Sequence, residues 1–258
     1  MSALRRRLLA GEALFGTFLG LGSALAAEAC ALAGFDWLLV DLEHGGGDDS
    51  TFLQQQLAAQ AHDVPVLVRV ESGERIRSGR ALDLGAAGVM VPRLESAAEA
   101  RQAVRHMSYP PSGDRGVATY NRACGFGLWP EMLDAVPGLC VIQVESRDAV
   151  EQIEEIAAVD GIDVLFVGPR DLSHDLGVPG DTSAPVFRSA LKRVLATGIP
   201  AGILAPDAVT ARRYADEGFR FVGVGSDASL LAASGRQAVQ ALCLNNGAHT
   251  GPVPLPKS

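Results

Sequence analysis

Acidic side chains close several apolar runs of this sequence, a pattern that predicts a site for a cation. The carboxylates are Asp41 and Glu43 after the run that begins at Trp37, Glu145 after the run from Val141, and Asp171 after the run from Val164. Short apolar runs of this kind are typical of buried parallel strands, whose carboxyl ends meet at one edge of a sheet. Carboxylates gathered there repel one another and resist ionisation unless a cation lies among them. The pattern therefore predicts a divalent metal site at the C-terminal mouth of an α/β barrel.

Glu145 and Asp171 are the best candidates for metal ligands. Gln143 and Glu145 are two residues apart, so a strand directs both side chains to the same face. Glu145 and Asp171 follow neighbouring predicted strands, and two carboxylates completed by water suit Mg²⁺ or Mn²⁺. Asp171 is equally suited to capping a short helix, and that alternative remains open at this point. The histidines show no pair at the spacing of a closed zinc site.

His44 and Arg69 are the candidates for proton transfer and for binding an oxyanion. His44 lies between acidic neighbours and the glycine run 45–47, and a histidine titrates close enough to neutrality to carry a proton. Arg69 stands inside an apolar strand-like run and therefore needs a charged partner. The alternatives are a structural ion pair for Arg69 and an ordinary loop position for His44.

The lysine content excludes one mechanism. Only Lys192 and Lys257 occur in the 258 residues. Lys192 lies outside the apolar face of a predicted helix and is expected to point to solvent, and Lys257 lies near the C-terminus. A covalent imine would need a lysine inside the barrel. Carbonyl activation is therefore expected to come from a metal ion that acts as a Lewis acid.

Strand-like and helix-like runs alternate about eight times with no break in composition. This alternation predicts a closed (β/α)8 TIM barrel in a single domain, which we place at residues 1–244. Residues 245–258 are polar and rich in proline, so they are predicted to form a flexible tail. Residues 116–129 are predicted to form a long loop over the barrel mouth.

Charge and cysteine content exclude several classes of partner. The net charge is −8 and the pI is near 5.1, whereas nucleic acids and anionic membranes are bound by basic patches. No signal peptide or membrane span is expected. The four cysteines show no CxxC spacing, which predicts reduced thiols in a cytoplasmic protein.

Several short segments between about Gly16 and Arg236 carry a family resemblance through their order and spacing. They are Asp41-Leu42-Glu43-His44-Gly45, Val68-Arg69-Val70, Leu82 to Pro92, Tyr109-Pro110-Pro111 with Arg115-Gly116-Val117, Gln143-Val144-Glu145, Gly168 to Ser173, and Gly223 to Asp227. Together they resemble the HpcH/HpaI family of class II, metal-dependent pyruvate aldolases, which includes the 4-hydroxy-2-oxoheptanedioate and 2-keto-3-deoxy sugar-acid aldolases. The resemblance implies a TIM barrel of the phosphoenolpyruvate/pyruvate-domain type.

The resemblance also implies roles for individual residues. Glu145 and Asp171 match the metal ligands, His44 the histidine of proton transfer, Asp83 an aspartate that pairs with it, Arg69 the arginine that steadies the keto oxygen and enolate, and Asp41 a further site aspartate. The expected substrate contacts are Gln143, Leu204 and Gly168-Pro169-Arg170, with the N–H groups of Arg170 and Asp171 receiving the pyruvate carboxylate. The glycine loop after His44, Arg170 and residues 118–127 depart from the family pattern, which leaves the aldehyde half of the substrate open.

The expected reaction is reversible aldol cleavage of a 4-hydroxy-2-oxo acid to pyruvate and an aldehyde. The expected cofactor is Mg²⁺ or Mn²⁺, with Co²⁺ or Zn²⁺ as alternatives, and the base is either His44 or a water that the ion polarises. The resemblance implies a homohexamer, a trimer of dimers, in which residues 228–243 form a helix exchanged between subunits. The alternative functions are a citramalyl- or malyl-CoA-type lyase, an oxaloacetate decarboxylase and a non-catalytic binder of keto acids.

Overall fold

A closed barrel of eight parallel strands forms the centre of the computed structural model, which describes residues 1–135 and 137–244. The strands are β1 (Leu14–Leu19), β2 (Trp37–Asp41), β3 (Val66–Arg69), β4 (Gly88–Val91), β5 (Leu139–Val144), β6 (Val164–Val167), β7 (Ala201–Ala205) and β8 (Phe221–Ser226). Each strand pairs with the next along the chain, and β8 closes the ring on β1. The predicted (β/α)8 barrel is confirmed.

Helices connect the strands and surround the barrel. They are α1 (Ala3–Leu9), α2 (Ala24–Leu32), α3 (Asp49–Gln60), α4 (Arg75–Asp83), α5 (Ala97–Met107), α6 (Arg147–Glu151), α7 (Ile153–Ala157), α8 (Pro169–Asp175), α9 (Pro185–Ala196), α10 (Ala208–Glu217) and α11 (Asp227–Leu244). Helix α5 begins with a capping box, in which the Ser96 side chain accepts from the Glu99 N–H group and the Glu99 side chain accepts from the Ser96 N–H group. Helices α6 and α7 follow each other closely and are separated at Gln152.

Alternation along the strands separates the barrel interior from the layer beneath the helices. The interior cluster contains Leu14, Phe18, Trp37, Leu39, Leu67, Met90, Leu139, Val141, Val164, Phe166 and Phe221. Trp37 stacks on Phe221 with ring centroids 4.1 Å apart. Gly16 provides the space for this pair, because a Cβ at that position would lie 2.1 Å from a ring carbon of Trp37.

Helix α1 closes the end of the barrel where the strands begin. Its Leu4 and Leu8 belong to the interior cluster, and Arg5 donates to both carboxylate oxygens of Asp163 at 2.7 and 2.6 Å. Because this end is closed, inward side chains at the carboxyl ends of the strands face the open mouth.

The prediction that residues 116–129 cover the barrel mouth is wrong. Helix α4 begins at the mouth after β3 and ends at Asp83, at the opposite end of the barrel. Asn121 donates to the Asp83 carboxylate at 3.2 Å, and Arg122 donates to the Leu84 carbonyl at 3.0 Å. Polar side chains of this segment thus satisfy acceptors at the C-terminal end of α4, which holds the segment away from the mouth.

Helix α11 projects from the barrel. Every residue from 229 to 242 is exposed in the single chain. Within the described residues no helix combines the length and the apolar character that a bilayer span requires. The flexible tail predicted for residues 245–258 lies outside the described residues, so the domain boundary at residue 244 stays a prediction.

Candidate active site

Alternation along the strands brings polar side chains to the inner face of the mouth. Residues two apart on a strand share a face, and Leu39, Leu67 and Val141 point into the barrel. The polar residues reached two positions later are Asp41 on β2, Arg69 on β3 and Gln143 on β5, with Glu145 directly after β5. All of them are buried. The mouth therefore holds charged groups that water solvates only partly.

Arg69 is held by two carboxylates of β2 and its loop. Its Nε and Nη2 atoms donate to Asp41 at 2.9 and 2.7 Å, and its Nη1 atom lies 3.1 Å from an oxygen of Glu43. Burial by itself lowers the pKa of Arg69. The hydrogen bonds from Arg69 to Asp41 and the negative charges of Asp41, Glu43 and Glu145 outweigh burial and raise the pKa above its ordinary value. Arg69 is therefore a permanent cation with a fixed orientation. The ion pair predicted as one alternative for Arg69 is present, and the side chain lies at the mouth of the barrel.

Asp41 also organises the loop that follows it. Its Oδ1 atom accepts the backbone N–H groups of Glu43 at 3.1 Å and of His44 at 3.2 Å. The same oxygen accepts from Arg69, so one carboxylate couples the arginine to the backbone that carries His44. Asp41 is thus placed to position other groups.

Glu145 and Asp171 line one cavity of about 450 Å³ at the mouth, together with Arg93, Arg170 and other polar residues. Burial and the charge of Asp171 raise the pKa of Glu145 to about 7, against a lowering contribution from the Arg93 N–H group. That N–H group donates to Glu145 Oε1 at 2.8 Å. Two neighbouring carboxylates, one of them reluctant to ionise, form the arrangement expected around a cation.

Gly168 allows these groups to approach the start of α8. A Cβ at Gly168 would lie 2.9 Å from both Gln143 Nε2 and Glu145 Oε2. The side chains of β5 therefore pack directly against the backbone that leads into Pro169, Arg170 and Asp171. Any larger residue at this position would displace Gln143 or Glu145.

The donor set fits an oxygen-preferring divalent ion that keeps positions for water and substrate. No group of three or more His, Cys, Asp or Glu residues suited to a metal occurs in the described part of the chain, so a fully protein-ligated site is not formed there. The Oε2 atom of Glu43 is buried without a hydrogen-bond donor, although it is close to Arg69. Carboxylate oxygens suit a divalent ion with open coordination positions better than they suit a closed zinc site.

His44 and Asp83, predicted as a pair, are not in contact within the chain. The His44 side chain is 67% exposed, and its Nε2 atom lies 3.9 Å from Glu43. Asp83 lies at the other end of the barrel, where Arg115 donates to it at 2.6 Å and Asn121 also donates to it. Arg115 in turn stacks over Tyr109, with its Cζ atom 4.4 Å from the ring centroid. The intrachain partner of Asp83 is therefore Arg115.

Leu204 and Phe18 provide the apolar part of the mouth. Leu204 lies near the end of β7 and packs against the interior cluster that contains Phe18. The guanidinium carbon of Arg69 lies 5.4 Å from the centroid of the Phe18 ring. The predicted substrate contact of Leu204 stays a prediction, and Arg170 lines the cavity of Glu145 and Asp171.

Two residues at the mouth, Phe18 and Arg93, had received no role from the sequence, and Glu43 had been counted only among the acidic residues that follow the apolar runs. Glu43 was visible as an acidic residue after β2, and its ion pair with Arg69 gives it a place in the site. Phe18 carried only the apolar character of its strand. Arg93 follows β4 as a basic residue after Val91-Pro92, a signal that was available in the sequence. The contact between the Arg93 backbone and Glu145 could not be predicted from the sequence, because it depends on the neighbouring strand.

Comparison with known proteins gives consistent matches over most of the chain. The model of the family described as HpcH/HpaI aldolase/citrate lyase matches residues 14–234. A hydroxypyruvate/pyruvate aldolase of Paraburkholderia phytofirmans is 40% identical over 249 residues, covering 92% of this chain and 96% of that protein. A 5-keto-4-deoxy-D-glucarate aldolase of Klebsiella pneumoniae is 39% identical, covering 85% of this chain and 88% of that protein.

A solved structure is similar over nearly the whole fold. The crystal structure of an HpcH/HpaI aldolase/citrate lyase family protein from Burkholderia cenocepacia superimposes with a TM-score of 0.90 at 40% sequence identity. The match covers 94% of this chain and 99% of that one. The similarity therefore includes the strands and loops that form the mouth.

Proposed function

Because the chain belongs to the HpcH/HpaI aldolase/citrate lyase family, we propose that it is a divalent-metal-dependent aldolase acting on a 4-hydroxy-2-oxo acid. Members of this family are lyases that cleave carbon–carbon bonds. The proposed reaction is reversible cleavage to pyruvate and an aldehyde. Pyruvate as one product is supported by the names of the similar aldolases.

One observation supports this chemistry most strongly: an oriented arginine stands beside a pair of carboxylates at the barrel mouth. Arg69 is fixed by Asp41 and Glu43, and Glu145 and Asp171 share the adjacent cavity. Cleavage between C3 and C4 leaves negative charge on the pyruvate fragment as an enolate. A fixed cation that needs no reorganisation stabilises such charge effectively.

Glu145 and Asp171 are the proposed ligands of a Mg²⁺ or Mn²⁺ ion, with Co²⁺ or Zn²⁺ as alternatives. Such an ion would polarise the 2-keto oxygen and share the charge of the enolate. The Gln143 amide and the turn at Gly168-Pro169 border the same space. The first N–H groups of α8, at Arg170 and Asp171, lack helical acceptors and are the proposed partners of the pyruvate carboxylate.

His44 is the proposed proton carrier for the 4-hydroxyl group. Its ring is exposed at the mouth, while its backbone is fixed by Asp41. Asp83 of the same chain lies at the opposite end of the barrel, so we propose that any pairing between Asp83 and His44 joins two subunits. A homo-oligomer, with six subunits as a trimer of dimers, would supply that second copy.

We also propose a cytoplasmic location. Cys30, Cys124 and Cys140 are free thiols in the structure. Unpaired cysteines of this kind are typical of a reducing compartment.

Pyruvate release from a panel of 4-hydroxy-2-oxo acids, coupled to lactate dehydrogenase, tests the proposal. We expect turnover with Mg²⁺ or Mn²⁺, loss of activity in EDTA, and a fall in kcat of at least about 100-fold for Glu145→Gln, because the variant loses a ligand charge. Lys192→Met is the matched control. Lys192 is exposed on α9, so this variant should retain full activity.

Full activity in EDTA, or in Glu145→Gln, would contradict the metal-dependent mechanism. Binding of pyruvate and Mg²⁺ in a calorimeter, without turnover of any acid in the panel, would favour a keto-acid binder instead. Pyruvate formation from oxaloacetate alone would favour a decarboxylase, and turnover of thioesters alone would favour a CoA-type lyase.

A further inference from the structure

The glycine loop that follows His44, residues 45–47, rests on the loop between β1 and α2. The Gly46 N–H group donates to the Gly20 carbonyl oxygen at 2.9 Å. A Cβ at Gly45 would lie 2.2 Å from the Asp41 carbonyl oxygen and 3.3 Å from the Gly20 Cα atom, so the two loops touch through backbone atoms. The place of the backbone that carries His44 therefore depends on where Gly20 is held.

Asp227 holds the backbone of Gly20. It is the first residue of α11, and it is only 5% exposed. Its Oδ1 atom accepts the N–H groups of Gly20 at 2.8 Å and of Ala228 at 2.7 Å, and its Oδ2 atom accepts the Leu21 N–H group at 3.3 Å. Hydrogen bonds to a carboxylate are stronger than those between neutral groups. The loop 20–22 is thus attached to the end of β8 through one buried side chain.

Capping of α11 does not account for the contacts of Asp227. The Ser229 N–H group donates to Ser226 Oγ at 3.1 Å, and the Ser226 N–H group donates to Ser229 Oγ at 2.8 Å. This reciprocal pair satisfies the start of the helix. Asp227 makes one hydrogen bond to its own helix, whereas its bond to Gly20 spans 207 positions of the chain. The Asp227 side chain therefore serves the loop 20–22 more than the helix.

We propose that Asp227 is a positioning residue for His44, because it holds the loop on which the glycine loop after His44 rests. This inference rests on the proposed aldolase function, in which His44 carries the proton of the 4-hydroxyl group. Asp41 fixes the His44 N–H group on one side, and Gly20 fixes the glycine loop on the other. Proton transfer requires hydrogen-bond distance between the two partners, so a small shift of this backbone slows the reaction.

Replacement of Asp227 should lower turnover without weakening the binding of the keto acid. For Asp227→Ala we expect kcat for pyruvate release to fall about tenfold, because the loop of His44 loses its support. The Kd of pyruvate in the presence of Mg²⁺, measured by calorimetry, should change by less than about twofold, since other residues are proposed to bind that end of the substrate. Asp227→Asn keeps the shape and one acceptor oxygen, so its kcat should fall only about threefold. This variant carries the test if Asp227→Ala does not fold.

A His44→Ala background shows whether Asp227 acts through His44. Substitutions of residues that act as one unit are not additive, so Asp227→Ala should change the residual kcat of His44→Ala by less than about twofold. Ser229→Ala is the matched control in the otherwise unsubstituted enzyme. It removes the capping pair at the start of the same helix but no contact of the loop 20–22, and its kcat should equal that of the unsubstituted enzyme.

The outcomes separate this inference from the proposed function. Unchanged kcat in both Asp227 variants, an equal loss in Ser229→Ala, or pyruvate binding that weakens as much as kcat falls would overturn the role of Asp227 alone. The same proportional loss with and without His44 would also overturn it. Absence of pyruvate release by the unsubstituted enzyme from every acid in the panel would instead overturn the aldolase function itself.

Discussion

Arg69 and Glu145 are both buried at the mouth, but only Arg69 has its charge balanced by the chain. Asp41 and Glu43 surround the arginine and raise its pKa, whereas the nearest charges to Glu145 include the carboxylates of Asp171 and Glu43. Burial of a carboxylate beside other carboxylates favours the protonated form. The site thus combines a permanent cation with a carboxyl group, Glu145, whose pKa is raised to about 7.

This imbalance predicts a specific dependence of stability on pH. The pKa of Glu145 in the folded, metal-free protein is about 7, above its ordinary value of 4.5. A raised acid pKa gives a stabilising contribution that is complete below pH 4.5 and lost as pH rises through about 7. Through this group alone, the free energy of unfolding should fall by roughly 3 kcal/mol over that range.

Urea unfolding in EDTA, at about pH 5 and about pH 8, measures the effect. Glu145→Gln cannot titrate and should show a correspondingly smaller fall between the two pH values. Addition of Mg²⁺ at the higher pH should stabilise the unsubstituted protein much more than the variant. Equal pH dependence of both proteins would show that Glu145 does not have the raised pKa.

Among the elements, α11 is the one whose position the barrel does not explain. Its residues 229–242 are exposed, and they include Leu230, Leu231, Val239 and Leu242. Leu25 and Leu32 of α2, the helix beside its base, are exposed as well. An apolar helix of this length normally buries one face against another element. A second copy of the chain would provide that surface.

Charged substitutions on α11 test this element. Leu231 and Val239 are 67% and 54% exposed, so Leu231→Asp with Val239→Asp should not disturb the barrel of one chain. We expect the unsubstituted protein to sediment as a hexamer and the double variant as smaller species, because a carboxylate is costly in an apolar interface. Val209→Asp, at an 82% exposed position of α10, is the control. A monomeric unsubstituted protein, or an unchanged assembly of the double variant, would contradict the proposed exchange.

At the scale of the whole molecule, the barrel depends on glycines that let large interior side chains fill it. Gly16 lies against Trp37, and the Trp37 ring is held by Phe221 on its other side. Protein interiors are packed closely enough that an added methyl group displaces its neighbours. The interior that supports the mouth is therefore sensitive to small increases in volume.

Gly16→Ala should lower the free energy of unfolding by about 2 to 3 kcal/mol, because the new Cβ would overlap the Trp37 ring. Gly79→Ala on α4 is the matched control. A Cβ there meets nothing within 4 Å, and alanine favours a helix, so the stability should stay equal or rise by up to about 1 kcal/mol. Urea unfolding of both variants measures the difference. A Gly16→Ala variant as stable as Gly79→Ala would show that the ring pair can move freely.

Local patterns in the amino-acid sequence were enough to predict the barrel and the family resemblance. Apolar runs of strand length that alternate with amphipathic runs leave few other folds. The ends of the predicted strands placed the carboxylates at the mouth, and alternation placed Gln143 and Glu145 on the same face. These features follow from local periodicity, because residues two positions apart along a strand point to the same face. The roles assigned to the individual residues stay predictions.

The contacts between charged side chains could be read only from the folded chain. It paired Arg69 with Asp41 and Glu43, brought the Arg93 backbone to Glu145, and placed Asp83 with Arg115 at the far end of the barrel. It also moved the segment 116–129 away from the mouth. Such contacts join residues that are distant along the chain, and they depend on strand order, helix direction and loop path. Local spacing carries no information about these, because it describes only the neighbours within one element.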